Sequence, residues 1–580
     1  MIIFYGANFT LNVTNLNIKF IEESSFFFDA FYKNYTPPFS MDLDDETSKK
    51  LGLIDVENVA NYSLQYEGKL FIDTKFEDAY LVIDTENETL EGSFYYGKET
   101  LSLLETPLKE LPFKTITASN IAALADTYII KSWPEVSCNF PMVFDDGFSK
   151  TTNYDSFLGI TNNHNGSNFL NNVLSAEGTV LNRNVLTPFP YIMEILKVGF
   201  SSAGKEIVGG FVHRKENSHL LLDTKKHLER FSTSTENNFV FVSHTDQYLI
   251  GNTLISEFEK VISITAIGTY NVKVSVNLPK DTIVKTFKIL QDSVVLFEST
   301  SNSIQQELAI NKEVAAGTIV VTFVLELEGN YDTIEDFNNF SFEKSEGKLN
   351  IFKNEFSLAE VMPDITFGAF LEKLKNWLNL KIDLYTNFVA INYVEEFFDV
   401  LTFNDERAFE IQHPKREFNK IKRYKITTSN PYSEIFVGKM GLASSIDDIR
   451  EEDIRTIETG ISIYPIEERE GIFTAVRNTD ANFGIFLYKG IDANGYPVVA
   501  SAVEGFSFSL QELYPKYWKK WLYFRLNSET YTDKFTAHSL EEFSTLVGRF
   551  KYSKKHIIKK ITKSRVSEEQ YLYEIESETL

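Results

Sequence analysis

Short bursts of alternating apolar and polar residues run through most of this chain, the two-residue period of half-buried strands. Leu11, Val13, Leu16 and Ile18 predict early strands. In SLQYEGKLFIDTKFEDAYLVIDTENETLEGSFYYG, Leu70 and Ile72 share one face, as do Tyr80 and Val82. With turn-rich sequence between the pairs, the segment reads as a meander. Pro37–Pro38 marks a turn or an extended stretch. Residues 116–255 are mixed: IAALADTYII (121–130) predicts a short helix and NNHNGSNFLNN (162–172) a polar loop. PFPYIMEILKVGFSSAG (188–204) predicts a helix with Pro190 near its start and Gly204 near its stop. Its stripe is Ile192, Ile195, Leu196 and Gly199, with Phe200 beside it; EIVGGFV (206–212) then resumes a strand pattern.

Residues 256–345 almost lack helical period. ISITAIGTYNVKVSVNL, TFKILQDSVVLFEST, SIQQELAIN and GTIVVTFVLELEG follow one another between turns, with Val272, Val274 and Val276 on one face. That is the pattern of a β-sandwich or jelly roll, inserted or accessory. A different pattern follows in MPDITFGAFLEKLKNWLNLKIDLYTNFVAINYVEE. Asp364 or Thr366 suits the cap of a helix running to about Asn379. Phe367, Phe370, Leu371, Leu374, Trp377 and Leu378 recur at intervals of three and four and form one stripe. Two strands follow, with Ile382, Leu384, Val389 and Ile391 alternating. The remainder returns to β-rich sequence and closes on paired strands. The fold class expected is β-rich α+β and multidomain, with an inserted or accessory β-sandwich. Its units are 1–115, a β-rich domain; 116–255, mixed; 256–345, the sandwich; 346–400, helix and hairpin; and 401–580, β-rich.

Composition narrows the function classes. With 580 residues and 43% hydrophobic content the chain has ample material for several cores, so disorder is not expected. The net charge of -25 argues against broad nucleic-acid binding and fits a self-repelling soluble surface or a negative channel wall. Cys138 is the single cysteine, which excludes an intrachain disulfide framework and a multi-cysteine zinc site; it is expected to be a small buried hydrophobe. The opening MIIFYGANFTLNV lacks the basic-then-apolar order of an export signal, and apolar runs such as TIVVTFVL (318–325) have strand length rather than membrane length.

The search for chemistry finds no dinucleotide fingerprint, phosphate loop, HExxH pair or nucleophile elbow. The histidines are His164, His213, His219, His227, His244, His413, His538 and His556, none at metal-pair spacing; surface or turn roles are the default. Asp145 and Asp146 suit a turn cap better than a calcium or catalytic site. Asp42, Asp44, Asp45 and Glu46 cluster without calcium-loop spacing and read as a solvated face or helix start. A basic run near the C-terminus holds Lys551, Lys554, Lys555, His556, Lys559, Lys560, Lys563 and Arg565. It fits a solvated ribbon, a surface matched to a neighbouring subunit, or a nucleic-acid site. Tyr514, Tyr517, Trp518, Trp521, Tyr523 and Phe524 in LYPKYWKKWLYFR fit core packing, an interface, or a sugar-stacking platform. No catalytic, cofactor or metal residue is assigned.

Three segments carry a resemblance: MPDITFGAFLEKLKNWLNLKIDLYTNFVAINY, PFPYIMEILKVGFSSAGKEIVGGF and LYPKYWKKWLYF, with the meander ending GSFYYG beside them. Together they resemble tail hub or baseplate proteins of tailed bacteriophages, especially those infecting Bacteroidetes hosts, and hubs of related injection machines. The resemblance implies barrel-like domains in a homotrimeric ring around an axial channel. It implies a non-enzymatic role joining the tail tube to distal fibre or spike proteins, in a virion assembled in the host cytoplasm. DNA would pass without specific binding, and the sandwich would touch neighbouring subunits or host glycans. It supplies no catalytic residues. Two other classes stay in view: a carbohydrate-binding attachment protein, marked by an exposed aromatic platform on 256–345, and a carboxylate-based glycan hydrolase, marked by paired acids across a cleft.

Overall fold

The computed structural model describes residues 1–27, 34–42, 45–52, 65–86, 89–96, 102–150, 157, 159–174, 180–223, 226–229, 237–264, 268–312, 317–344, 349–385, 387–428, 432–443, 449–469, 471–477 and 484–580. The protein is β-rich and multidomain, with many strands in several sheets and a smaller share of helix.

The largest sheet joins the two ends of the sequence. The strands Gln65–Ile72, Lys75–Glu86 and Thr89–Tyr96 form the expected antiparallel meander, extended by Ile2–Gly6 on one side. Lys19–Glu23 then pairs with Lys554–Arg565, Lys19 opposite Ser564 and Glu23 opposite Lys560. Gln570–Thr579, Glu529–His538 and Lys415–Phe418 continue the sheet. Among the described residues its pairing path is open, ending on Thr10–Asn12 and Lys415–Phe418. Alternation decides which side is buried: Phe4, Leu70, Ile72, Ala79, Leu81, Ile83 and Phe94 point into one core, so Tyr80 and Val82 lie on the other face.

The central core is helical. Phe367–Leu378 forms with Thr366 as its cap, the hydroxyl accepting from the Ala369 N–H at 3.2 Å. The whole predicted stripe, from Phe367 to Leu378, is buried. Asn379 ends the helix in the left-handed conformation, and its amide donates to Tyr517 O at 2.8 Å. The other predicted cap, Asp364, instead pairs with Lys109 and Lys226. The helix Ile192–Ser202 crosses this one closely because position 199 is glycine: a Cβ there would stand 2.4 Å from the Phe367 ring. Leu380–Leu384 and Phe388–Tyr393 make the predicted hairpin, and Glu206–Val208 joins it in parallel.

Residues 237–344 form two facing sheets, with strands from Asn237–Phe239 to Asn338–Lys344. Phe258, Val272, Val274, Val276, Phe287, Phe323 and Phe340 fill a core of their own. Contacts such as Lys273 with Glu307 and Phe239 with Phe323 tie these strands to one another.

Two expectations need correction. Within the region 401–580, read as β-rich, the segment around LYPKYWKKWLYFR is helical: Leu510–Leu513, a π-type turn at Tyr514–Trp518, then Lys519–Asn527. Aromatic content suggests strand, but here apolar residues pack around most of the helix, which erases its one-sided period; Pro515, lacking an N–H, sits in the wide turn. The strand after Glu206 also ends early, and Gly210–His213 is a helical turn.

Candidate functional site

The feature that asks for a partner is the outer face of the meander. Because strand side chains alternate, burial of Phe4, Leu70 and Leu81 on one side places Tyr5, Phe71, Phe76, Tyr80 and Tyr95 on the other. Phe76 is 60% exposed and Tyr5 38%. Phe76 lies 4.7 Å from Phe71 and 5.8 Å from Tyr5 between ring centroids. Next to them Tyr80 stacks on Tyr95 at 4.9 Å, and Tyr95 faces Tyr35 at 6.3 Å. Lys69 and Asp78 stand opposite each other within this face, their charged groups 3.9 Å apart. A wide aromatic face with a few polar groups has the make-up of a protein interface rather than of bare solvent-facing sheet. Sequence reasoning missed this face: GSFYYG and KFEDAY show alternation, but not which parity the core takes.

The charged groups named from the sequence are mostly turned inward. Asp145 caps its turn as expected, accepting from the Gly147 N–H at 2.9 Å, and also meets Arg477 Nη1 at 2.7 Å. Arg477 Nη2 reaches Asp223 at 2.6 Å, and the Tyr464 hydroxyl donates to Asp223 at 2.8 Å. His227 lies against the same guanidinium, 2.7 Å from Nη1. Burial works against the Asp145 charge, but His227 and the Arg477 guanidinium outweigh it and hold the carboxyl well below the usual range. Neither Arg477 nor Asp223 is singled out by any sequence motif, since the ion pairs span hundreds of residues.

Four residues of the basic run, Lys551, Lys554, Lys559 and Lys560, pair with acids of the chain. Lys551 is fully buried against Asp533 at 3.0 Å, beside Arg549, which lies between Asp533 at 2.9 Å and Glu406 at 3.0 Å. Lys554 pairs with Glu529 at 2.9 Å, Lys559 with Glu576, and Lys560 with Glu23 at 3.8 Å. His556 is buried, its Nε2 3.1 Å from Lys551 O and its Nδ1 3.3 Å from the Ser577 hydroxyl. Lys555 stays exposed. Along Lys554–Arg565, then, Lys554, Lys559 and Lys560 meet acids of the same sheet, while Lys563 lies 5.7 Å from the Phe20 and Tyr571 rings and Arg565 Nε donates to Ser567 O at 3.2 Å.

The remaining candidates are dispersed. Tyr514, Tyr517, Trp518, Trp521 and Phe524 are core residues, and Tyr523 is exposed. The Trp521 indole donates to Phe26 O at 3.0 Å, and Tyr517 stacks on Tyr393 at 4.3 Å. Cys138 is buried, which pushes its thiol ionisation up. His164 is buried beside Asp126 at 3.4 Å, with Nδ1 accepting from the Gly166 N–H. His219 reaches Tyr488 O at 2.8 Å, and His213 and His413 are exposed. His244 lies 3.3 Å from Tyr331 O, and exposed His538 accepts from the Leu540 N–H. Asp45 and Glu46 open the short helix Asp45–Lys50; Asp44 lies outside the described residues. No cluster of three or more His, Cys, Asp or Glu groups able to hold a metal occurs among the described residues, and no helix there is long and apolar enough to cross a membrane.

Neither a family model nor a curated protein matches the sequence. Among solved structures, a tail protein from Neisseria meningitidis MC58 aligns over 55% of this chain and 96% of its own, at 8% identity and TM-score 0.18. A 43 kDa tail protein of prophage MuSo2 from Shewanella oneidensis aligns over 61% and 96%, again at 8% identity and TM-score 0.18. A GH31 alpha-xylosidase from Xanthomonas citri aligns over 24% of this chain and 16% of its own, at 11% identity and TM-score 0.11. At such scores the backbones do not superpose as one fold.

Proposed function

We propose that the chain is a structural component of a bacteriophage tail, a hub or baseplate protein that joins the tail tube to distal fibres or a spike. In this reading it forms a homotrimeric ring whose channel lets DNA pass without specific binding. The observation that carries it is the exposed aromatic face around Phe76 and Tyr5, on a sheet whose pairing path is open at both ends among the described residues. Open edges and an aromatic face are liabilities for an isolated chain, and a closed ring of copies or tail neighbours covers both. The helix Phe367–Leu378 with its hairpin, and the helix Ile192–Ser202 crossing it, support the resemblance segment by segment.

The carbohydrate-binding alternative receives less support. It needs a ring platform on the sandwich, whereas the outer face of the five-stranded sheet carries Val261, Leu290, Val295 and Val324 beside Glu257, Glu259 and Glu326, with the half-buried Tyr248 ring under Lys285 among them. Phe337 is the sandwich's strongly exposed ring among the described residues. The test is the mass of the purified protein in solution together with negative-stain images. A ring-shaped trimer is expected; a stable monomer that also fails to join purified tail tubes would overturn the reading.

A further inference from the structure

Two cations and two carboxylates are buried together beside the strands Glu529–His538 and Gly548–Lys551. Lys551 Nζ stands 3.0 Å from Asp533 Oδ2, and both side chains are 1% exposed. Arg549 Nη2 meets the same oxygen at 2.9 Å, and Arg549 Nε lies 3.0 Å from Glu406. Strand register brings Glu406 here. Phe403–Asp405 runs parallel to Gly548–Lys551 with Asp405 opposite Phe550, and the Glu406 N–H then donates to Phe550 O at 3.1 Å.

The amine and the carboxyl are both held in place. The Lys551 ammonium donates to Phe409 O at 2.7 Å, and its Nζ lies 4.7 Å from the Phe535 ring centroid. Phe409 and Phe543 each pack on that ring at 5.3 Å. The Tyr552 hydroxyl donates to Asp533 Oδ1 at 2.7 Å and accepts from the Ile411 N–H at 3.1 Å. Nζ therefore stands beside one carboxyl oxygen while a fixed donor sits on the other. Burial first, and then the Arg549 charge, push Lys551 below the ordinary lysine range. Burial also pushes Glu406 above the ordinary glutamate range, against the charges of Arg549 and Lys551. A desolvated amine is a nucleophile, and a carboxyl raised in this way is a proton carrier.

We propose that Lys551 and Asp533 join spontaneously as an amide, Nζ to Cγ, with Glu406 carrying the proton. The Lys551 proton facing Asp533 Oδ2 crosses to that oxygen and leaves a neutral amine. Nζ attacks Cγ, and Oδ1 takes up the charge against the Tyr552 hydroxyl. Glu406 takes a proton from the nitrogen and passes it to Oδ2. The Cγ–Oδ2 bond then breaks, and Oδ2 leaves with its two protons as water. In sum, one ammonium and one carboxylate become one amide and one water, and no redox change occurs. Arg549 and Glu406 remain as a matched pair, so the cost of burying the second pair of charges is removed. Fixed approach favours the attack, and burial afterwards shields the amide from hydrolysis. The bond closes residues 533–551 into a covalent loop within the largest sheet.

The test is the intact mass of the full chain, measured unfolded, followed by digestion. The expected mass is one water below that of the sequence, and the digest yields a branched peptide joining Asp533 to Lys551. Glu406→Gln keeps the shape of the proton carrier without its chemistry, and is expected to give its full sequence mass with a wild-type circular-dichroism spectrum. Lys551→Met has no amine and gives its full sequence mass. The wild-type digest decides the bond however the variants fold. The proposal is overturned if folded wild type, held for days, keeps its full mass. It is also overturned if water is lost without the branched peptide, as ring closure at an Asp would give, or if Glu406→Gln joins as completely as wild type.

Discussion

At the residue scale, stability rests on a few buried positions whose neighbours leave no alternative. Leu374 sits in the middle of the Phe367–Leu378 stripe at 1% exposure. Leu374→Asp places an unpaired carboxylate there, while Leu374→Ala leaves a cavity worth about 2–5 kcal/mol. The Asp variant is expected to be insoluble or unfolded and the Ala variant folded but less stable, as urea denaturation of the two would show; a soluble Leu374→Asp protein with the wild-type midpoint would contradict the placement. His556 makes a second, pH-dependent prediction. Burial first, and then the nearby Arg549 charge, push its ionisation down to about 4. Its contribution is complete above the unfolded-state value near pH 6.5 and is lost as pH falls through about 4, up to about 3 kcal/mol in all. Comparing wild type and His556→Gln at pH 7 and pH 5 isolates this part, because the Gln variant lacks it.

At the scale of elements, the sandwich is expected to be the separable piece. Its two sheets enclose their own apolar core. Residues 237–344 expressed alone are therefore expected to unfold cooperatively with a β-sheet circular-dichroism signature. Aggregation without a transition would show that the module needs the body. The opposite holds for the helix Phe367–Leu378, whose stripe packs on distant parts of the chain, among them Leu104, the helix Ile192–Ser202 at Gly199, and Phe508. The helix Lys519–Asn527 shows why one element escaped sequence reading: Trp521, Leu522, Phe524 and Leu526 are all buried, so no polar face marks its period.

For the whole molecule, the question is what covers the aromatic face. Phe76→Lys with Tyr5→Lys changes two exposed rings and leaves the core behind them intact. The expected outcome is loss of the ring in negative stain and a smaller solution mass, with an unchanged thermal midpoint of the remaining monomer. Rings that persist would move the interface elsewhere, to the open sheet ends or the sandwich. The net charge of -25 adds a salt dependence: repulsion between acidic copies is screened as ionic strength rises, so assembly should strengthen between low and physiological salt.

What the sequence determined by itself is local and periodic. The meander at 65–96, the helix stripes at 192–200 and 367–378, and the sandwich strands are set by side-chain alternation and by caps within a few residues. Those signals are legible because the groups that interact are neighbours in sequence. The tertiary structure alone decided which face of the meander is buried, which acids neutralise the lysines of 551–565, and where Arg477 finds Asp145, Asp223 and His227. These depend on pairings such as Lys19–Glu23 with Lys554–Arg565, made across most of the chain. A charge or a ring carries no mark in sequence of the distant partner that buries it, so inward and outward become distinct only once the sheets have closed on their cores.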